Sequence, residues 1–382
     1  MTPKTIYFVA GEVSGDNHGA ALLRSLHELD PTVQFFGRGG PQMKSVAGGQ
    51  FRDWIDEAAV VGLWEVIKNY GYFRKQFRQT LHDIAQERPD VIVLIDYPGF
   101  NLRLARALRQ RRGESRIIYY ISPQVWAWHR GRIPQMARSI DLMLCIFPFE
   151  AELYNQSGLR TQFVGHPMME RLEAQKIERS RDPQLIGLFP GSRRREVRKI
   201  FPVLLDMVQC LQAAQPALRF EVAAASADLA MEMQEMLNSR AETLSAVQIK
   251  IGDASGTMQR ASVGVIASGS ATLEAAFFRL PFVLVYKVSW LTYLAARLVV
   301  KVKHLGMPNV LADKQIVPEF IQHHAKPRAI ADEVRRLIDQ PERRSEMVSN
   351  FDKIISSLGR AGASMEAARA IVQELSKAPD AQ

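Results

Sequence analysis

The chain has 382 residues, and because a typical domain has about 150 residues, two domains are predicted. Hydrophobic residues make up 47% of the chain and charged residues 23%, which excludes a disordered or fibrous protein. The 49 basic and 40 acidic side chains give a net charge of +9, which favours an anionic partner or substrate. The two cysteines form no CxxC pair, so a disulfide scaffold is not expected and a cytosolic protein is predicted.

In the first half of the chain, short apolar segments alternate with segments of helical periodicity. Continuous apolar runs without alternation are typical of strands buried on both faces, and strand–helix–strand repetition predicts a parallel, doubly wound sheet. The predicted strands are residues 5–10, 90–95, 116–121 and 141–147, and the predicted helices are 17–29, 63–87 and 102–112.

The same alternation restarts after a polar joining segment at residues 170–182, so two Rossmann-like halves are predicted. Residues 327–376 are predicted to form helices only. The apolar segment 281–302 is interrupted by Lys287, Arg297 and Lys301, so no membrane-spanning helix is expected. The predicted strands of this half are residues 185–189, 218–223, 247–251, 263–267 and 282–285.

The loop after the first predicted strand, residues 11–16, contains two glycines and three polar residues, Glu12, Ser14 and Asp16. The glycines let a ligand approach the backbone, and the carboxylates and hydroxyl suit a polyol better than a phosphate. A tight turn in which Asp16 caps the following helix fits the same residues equally well.

Asp96 ends the apolar run at 90–95 and is followed by a Tyr-Pro-Gly turn and then Asn101, a second candidate for binding substrate. A carboxylate at the carboxyl end of a parallel strand faces the ligand crevice with poor solvation, which raises its pKa towards that of a general base. An aspartate that merely starts a turn before proline is the alternative.

After the first strand of the second half, Gly191, Ser192 and Arg193 begin a turn that continues with two more arginines. A glycine turn that opens a helix can bind a diphosphate through backbone N–H groups, and arginine adds bidentate donors. Cations are disfavoured at the positive end of a helix, so a purely structural role leaves the arginines unexplained. A diphosphate site is predicted, with Arg193 as its best single candidate.

Two further loops add candidates for nucleotide binding. In the loop at 268–274, the small residues Ser268, Gly269 and Ser270 can cradle phosphate oxygens, and Glu274 can accept hydrogen bonds from ribose hydroxyls. A serine-capped packing helix is the alternative there. Asn309 and Gln322 are weaker candidates. No metal or cofactor is predicted, since HxH, HExxH and Asp-x-Asp patterns are absent, and Arg193 and helix ends would have to neutralise a diphosphate.

Positive charge is concentrated in two segments: residues 97–140 hold nine arginines and one acidic residue, and residues 275–312 hold five basic residues and no acidic one. Basic residues interleaved with aromatic ones favour an anionic lipid surface, and no nucleic-acid-binding signature accompanies them. The arginines of the first segment are 103, 106, 109, 111, 112, 116, 130, 132 and 138, and the aromatic residues are Trp126, Trp128, Trp290 and Tyr293.

The motifs together resemble the lipid-A-disaccharide synthase family, in residues and in order. The segments that carry the resemblance are residues 11–16, 96–101, 122–128, 165–167, 190–193, 268–274 and 308–309.

The resemblance implies an α/β glycosyltransferase-B fold with two Rossmann-like domains facing a central cleft. Residues 1–170 would bind the acceptor, residues 171–345 would bind the UDP-sugar, and the helices of 346–382 would pack back on the first domain. The implied reaction is metal-independent and inverting: UDP-2,3-diacylglucosamine and 2,3-diacylglucosamine 1-phosphate give lipid A disaccharide 1-phosphate and UDP. The implied location is the cytoplasmic face of the inner membrane, and the implied assembly is a homodimer with exchanged C-terminal parts.

Carried over by position, Asp96 matches the proposed general base of the family, Arg193 and Asn309 match functional polar residues, and 268–274 matches the nucleotide loop. Gly99 stands where the family often has a second aspartate, which puts any role of a second carboxylate in doubt. Two other classes stay open: another UDP-sugar enzyme of this architecture, such as an epimerase, and a non-catalytic lipid- or nucleic-acid-binding protein. The second would leave Arg193 and Glu274 without a role.

Overall fold

The computed structural model describes residues 3–55, 70–111, 114–177, 180–240, 246–290, 293 and 303–377, and the elements below belong to this part of the chain. The chain divides into two compact units, Met1–Glu170 with Leu358–Gln382, and Arg171–Ser357.

The strands of the first unit are β1 (Thr5–Ala10), β2 (Gln34–Gly39), β3 (Phe51–Asp53), β4 (Val91–Ile95), β5 (Arg116–Tyr120), β6 (Leu142–Cys145) and β7 (Thr161–Phe163). They form one parallel sheet in the order β3-β2-β1-β4-β5-β6-β7. Alternate residues of β1 enter two different core clusters, Phe8 on one face and Tyr7 and Val9 on the other. Burial on both faces explains the continuous apolar runs of the sequence.

The helices of the first unit flank this sheet. They are α1 (Val13–Leu29), α2 (Pro41–Ala47), α3 (Tyr70–Glu87), α4 (Pro98–Gln110), α5 (Val125–Trp128), α6 (Ile133–Ala137), α7 (Pro148–Gln156) and α8 (Met168–Glu173), which contains the boundary between the units. Residues 63–69 of the predicted helix 63–87 lie outside the described residues.

The second unit repeats the design with β8 (Asp182–Phe189), β9 (Arg219–Ala224), β10 (Val247–Ile251), β11 (Ala261–Ala267), β12 (Phe282–Tyr286) and β13 (Glu319–Ile321), all parallel and in the order β10-β9-β8-β11-β12-β13. Its helices are α9 (Arg194–Ala214), α10 (Ala227–Asn238), α11 (Ala254–Arg260), α12 (Ala271–Phe277), α13 (Met307–Ala312), α14 (Pro327–Asp339) and α15 (Pro341–Ser357). The prediction of two doubly wound α/β halves is confirmed.

The predicted third segment, residues 346–382, is divided between the two units. Residues 346–357 belong to α15 and stay in the second unit, because Phe351 stacks on Phe282 with ring centroids 5.6 Å apart and Asp352 pairs with Arg279 at 2.9 Å. The last helix, α16 (Ala363–Ser376), packs on the first unit.

The carboxylate of Glu374 ties α16 to the sheet of the first unit. It accepts hydrogen bonds from Arg116, at 3.0 Å, and from Arg160. Although burial acts to raise it, the hydrogen bonds from Arg160 and Lys377 lower the pKa of Glu374 to about 2. The anchor of the last helix is therefore an ionised carboxylate at neutral pH.

In each sheet the strand order reverses direction between two central strands. β1 lies beside β4, with Ala10 opposite Ile95, and β8 lies beside β11, with Phe189 opposite Ile266. The loops after β1 and β4 therefore start side by side, and so do the loops after β8 and β11. Ligands of doubly wound sheets bind at this position.

Candidate functional site

Asp96 lies directly after β4, in a left-handed backbone conformation that residues other than glycine rarely adopt. Its φ is 45°, and Tyr97 follows with φ 50° and ψ 55°. The Asp96 carbonyl accepts hydrogen bonds from the Tyr119 hydroxyl at 2.5 Å and from the Asn101 side-chain amide at 2.8 Å. Two successive left-handed residues are strained, and such strain clusters at functional sites. The turn thus fixes the position of the Asp96 carboxyl.

The carboxyl of Asp96 is half-buried, and its pKa is raised from 3.8 to about 6. Burial is the main cause, and the neighbouring Glu12 carboxylate adds to it, while a hydrogen bond from the Tyr97 N–H acts in the opposite direction. A carboxyl with a pKa of about 6 is ionised at neutral pH and still basic enough to accept a proton from a hydroxyl in a transition state.

The loop after β1 passes close to this turn. A Cβ atom on Gly11 would lie 2.3 Å from the Tyr97 ring, so the close approach requires glycine. Glu12 and Ser14 are exposed at the start of α1, as a substrate-binding role requires.

Asp16, predicted to bind substrate from the same loop, is instead buried and structural. Its carboxylate accepts hydrogen bonds from the backbone N–H groups of Gly40, Gln42 and Met43, each at 2.9 Å. These groups form the first turn of α2, whose Ncap residue is Gly40. The Asp16 carboxylate therefore accepts hydrogen bonds from the free backbone N–H groups at the start of α2, and these bonds occupy both of its oxygens.

Asn101, also predicted to bind substrate, holds the backbone of the Asp96 turn with its amide nitrogen. Its side chain is fully buried, and its amide nitrogen donates to the carbonyls of Ile95 at 3.1 Å and Asp96 at 2.8 Å. It holds the end of β4 and the start of the Asp96 turn.

Arg193 is the Ncap residue of α9 and has an exposed side chain, 76% accessible to solvent. The turn before it depends on Gly191, whose φ is 109° and whose Cβ would lie 2.5 Å from a carboxylate oxygen of Glu196. Glu196 accepts from the Arg193 backbone N–H at 3.4 Å, in the capping position three residues into the helix. Ser192 is exposed beside it. Backbone donors at the start of a 21-residue helix and an exposed guanidinium suit an anion.

The loop after β11 lies on the neighbouring strand of the same sheet. Ser268 is half-buried, and Gly269 and Ser270 are exposed before α12. One carboxylate oxygen of Glu274 forms an ion pair with Arg171 at 3.0 Å. The structure thus places this loop and the Arg193 turn on adjacent strands of the second sheet.

The side chains of Asn309 and Gln322, both predicted as candidate ligands, are buried and form hydrogen bonds within the second unit. The fully buried Asn309 amide donates to the Val317 carbonyl and to Glu319, both at 2.8 Å, and its oxygen accepts from the N–H groups of Ile316 and Val317. Gln322 makes two hydrogen bonds with the backbone of Val288, at 2.8 and 3.2 Å. Both side chains hold loops at the edge of the second sheet.

Comparison with known proteins decides the family. The lipid-A-disaccharide synthetase family (LpxB) matches residues 6–373. The lipid-A-disaccharide synthase of Geobacter sulfurreducens is 38% identical over 98% of both chains, and lipid-A-disaccharide synthase 1 of Legionella pneumophila strain Paris is 35% identical over 97% of both. The chain belongs to the lipid-A-disaccharide synthase family. It is a glycosyltransferase of lipid A biosynthesis.

Solved structures show that the fold of this family member is the predicted glycosyltransferase-B fold. A UDP-N-acetylglucosamine 2-epimerase from Neisseria meningitidis has a TM-score of 0.60 at 12% identity, covering 97% of this chain and 99% of that chain. MurG from Acinetobacter baumannii has a TM-score of 0.55 at 12% identity, covering 97% and 100%. At these identities the likeness concerns the fold alone.

Sequence reasoning missed several residues that support the site of this lipid-A-disaccharide synthase family member. Tyr119 holds the Asp96 carbonyl, and Glu196 orders the Arg193 turn; only Glu196 carried a sequence signal, its capping-box spacing. Tyr286 ends β12, and its pKa is raised by burial and by Glu196 and lowered in part by Arg193, so its phenol lies near that turn.

A buried carboxyl that the sequence did not single out, Glu150, anchors the 122–128 motif. It accepts hydrogen bonds from the Trp126 indole N–H at 2.8 Å and from the Phe147 N–H at 3.3 Å. Burial raises the pKa of Glu150 to about 7. Tyr154 donates to the Pro123 carbonyl at 2.8 Å and fixes the same loop.

The predicted lipid-facing surface is smaller than the sequence suggested. Trp126 is buried, and two of the arginines are used within the first unit: Arg109 pairs with Asp141 at 2.5 Å and Arg116 with Glu374 at 3.0 Å. The side chain of Trp128, residues 291–292 and residues 294–302 lie outside the described residues. In the described part of the chain no helix is long and apolar enough to cross a membrane, and no cluster of three potential metal ligands occurs.

Proposed function

We propose that the chain transfers 2,3-diacylglucosamine from its UDP derivative to the 6-hydroxyl of 2,3-diacylglucosamine 1-phosphate, with inversion at the anomeric carbon and release of UDP. The observation that carries this proposal is the Asp96 carboxyl, whose pKa is about 6 and whose turn lies at the switch point of the first sheet. Family membership supports the substrate class of this proposal. The positions of Asp96 and Arg193 support the roles proposed for these residues.

In the proposed reaction, Asp96 accepts the proton of the acceptor 6-hydroxyl as its oxygen forms a bond to C1 of the donor. The bond from C1 to the diphosphate oxygen breaks, and UDP leaves with the electron pair. General-base catalysis by a positioned carboxylate typically contributes about 10²–10⁴ in rate. The strained turn keeps the carboxylate in place, which limits the entropy lost in reaching the transition state.

UDP is bound in this proposal by the loops after β8 and β11. Gly191, Ser192 and Arg193 offer backbone donors and a guanidinium to the diphosphate, so negative charge that grows on the leaving group is stabilised. Ser268, Gly269 and Ser270 offer hydroxyl and N–H groups on the adjacent strand. Glu274 has one carboxylate oxygen paired with Arg171, and its other oxygen can accept from the ribose hydroxyls.

The acceptor is assigned to the first unit, where Glu12 and Ser14 can bind its sugar hydroxyls. Val13 between them is 62% exposed, an apolar side chain beside polar ones. This combination suits a sugar that carries acyl chains.

We also propose association with the cytoplasmic face of the inner membrane. Trp290 is 66% exposed and contacts Tyr293, with ring centroids 5.7 Å apart, which supports an interfacial role for this segment. Salt-sensitive co-sedimentation with phosphatidylglycerol vesicles is the expected result, and no co-sedimentation at low salt would contradict it.

A homodimer that exchanges its C-terminal parts remains part of the proposal. In the single chain, α16 packs on α1 of its own first unit, and the same contacts would form between two chains. Light scattering of the purified protein distinguishes a dimer from a monomer.

The decisive experiment incubates the purified chain with both acylated substrates and follows UDP and disaccharide by mass spectrometry. Stoichiometric formation of both products supports the proposal, with Asp96→Asn as the matched inactive control. Isomerisation of the UDP-sugar without an acceptor would instead indicate an epimerase. Binding of lipid without UDP would indicate a non-catalytic protein.

A further inference from the structure

A groove of about 250 Å³ opens beside the Asp96 turn, within the first unit. It starts at Pro98 and Gly99, two and three residues after Asp96, and runs between α4 and α6. Its walls carry three arginines, Arg103, Arg106 and Arg132. We call it the arginine groove.

The arginine groove follows from helical spacing. Gly99, Arg103 and Arg106 recur at intervals of three and four residues, so they share one face of α4. With a rise of about 1.5 Å per residue, Arg103 and Arg106 lie about 6 and 10 Å along the helix from Gly99. The opposite wall repeats this spacing with Arg132 and Gln135.

The positive charges of Arg103 and Arg106 have no acidic partner in the lining of the groove. No acidic residue lines it, and among the described residues neither Arg103 nor Arg106 forms an ion pair. With its amide oriented to accept, Gln135 receives hydrogen bonds from Arg106, the nearer at 3.0 Å, and this neutral partner orients the guanidinium without cancelling its charge. By contrast, Arg109, on the next turn of α4, is paired with Asp141.

We propose that the arginine groove binds the phosphate monoester of the acceptor and thereby orients its 6-hydroxyl towards Asp96. Arginine matches phosphate oxygens with bidentate, charge-assisted hydrogen bonds. On a glucosamine 1-phosphate, the phosphate on C1 and the 6-hydroxyl carried by C5 flank the ring oxygen, so the rigid ring holds them a fixed distance apart. The arginines and Asp96 likewise lie at two positions along one helix and its preceding turn. The N–H groups of the first turn of α4 add positive potential at the Gly99 end. This inference rests on the proposed function.

The test compares two acceptors, 2,3-diacylglucosamine with and without its 1-phosphate, in neutral detergent micelles. Charge-assisted hydrogen bonds contribute enough that the Arg103→Gln/Arg106→Gln variant should lose about 10–100-fold in kcat/KM with the phosphorylated acceptor. With the acceptor that lacks phosphate, variant and wild type should agree within about threefold, since the interaction is already absent. Unchanged kcat/KM with the acceptor that lacks phosphate, together with an unchanged circular-dichroism spectrum, shows that the first unit of the variant is folded.

Arg138→Gln is the matched control, because Arg138 is exposed near the end of α6 and does not line the groove. It should leave the preference for the phosphorylated acceptor unchanged. Equal losses on both acceptors in the double variant would overturn the phosphate assignment while leaving the proposed function intact. Wild-type protein that forms no disaccharide would overturn both.

Membrane phospholipid is the other source of a phosphate group. If the double variant keeps its preference for the phosphorylated acceptor but loses co-sedimentation with phosphatidylglycerol vesicles, the groove binds lipid headgroups and the proposal is wrong.

Discussion

The Asp96 turn and the Arg193 turn both lie at the switch point of their sheets, after β4 in the first and after β8 in the second, yet their side chains have opposite surroundings. Asp96 is half-buried, in a left-handed conformation held by Tyr119 and Asn101. Arg193 is exposed, after a glycine turn that Glu196 caps.

The difference is what their proposed tasks require. A carboxylate becomes a better base when burial raises its pKa, so it benefits from poor solvation and a rigid turn. An arginine that binds a diphosphate keeps its charge anywhere and needs open donors, so exposure suits it. The switch point of a doubly wound sheet can therefore serve proton transfer in one unit and charge binding in the other.

Asp96→Asn separates the two turns most sharply. The amide keeps the size of the side chain but cannot accept the proton, so turnover should fall by about 10²–10⁴. UDP affinity, measured by calorimetry, should stay within about twofold of wild type, since the second unit is untouched. Unchanged turnover would remove Asp96 from the role of base.

Arg193→Ala tests the other turn, in the second unit, through its affinity for UDP. Loss of charge-assisted hydrogen bonds should weaken UDP binding by about 10–100-fold in calorimetry. Arg194→Ala is the matched control, because Arg194 pairs with Glu232 at 3.0 Å, whereas Arg193 makes a longer contact of 3.5 Å with Glu196. Equal affinity of wild type and Arg193→Ala for UDP would contradict the diphosphate assignment.

The alternation of buried strands and helices was readable from the sequence because each strand of a two-sided sheet is apolar throughout. The strands that escaped prediction were β2, β3, β7 and β13. β2 contains two glycines, and the other three have three residues each, too few to show a pattern.

Residue type at a strand end also did not distinguish ligand-binding from structural polar groups. Asp96 and Asp16 are both aspartates in switch-point loops, but only the hydrogen bonds of the folded chain show that Asp16 is used by three backbone N–H groups. Asn309 is saturated in the same way by Ile316, Val317 and Glu319. Apart from the Glu319 carboxylate, these partners are backbone groups seven or more residues away in sequence, so no local sequence pattern indicates them.

Asp16→Ala tests this distinction through stability. Removing the carboxylate leaves buried N–H groups of α2 unsatisfied, which should lower the free energy of unfolding by at least about 2 kcal/mol. Ser14→Ala, two residues away and exposed, should change it by less than about 0.5 kcal/mol. Urea denaturation measures both. Equal stability of the two variants would restore Asp16 as a candidate ligand.

Glu12→Gln has the smallest expected effect, and it tests the electrostatic cause of the raised pKa of Asp96. Asp96 must be ionised to act as base, so kcat/KM should rise with pH through about 6 and level off above it. The negative charge of Glu12 raises the pKa of Asp96, so its removal should move the rising limb to lower pH. Burial is the larger cause and remains, so the limb should stay above the ordinary aspartate value of 3.8. A pH profile that does not move, or moves to higher pH, would show that Glu12 does not act on the base electrostatically and that its place at the switch point serves the substrate alone.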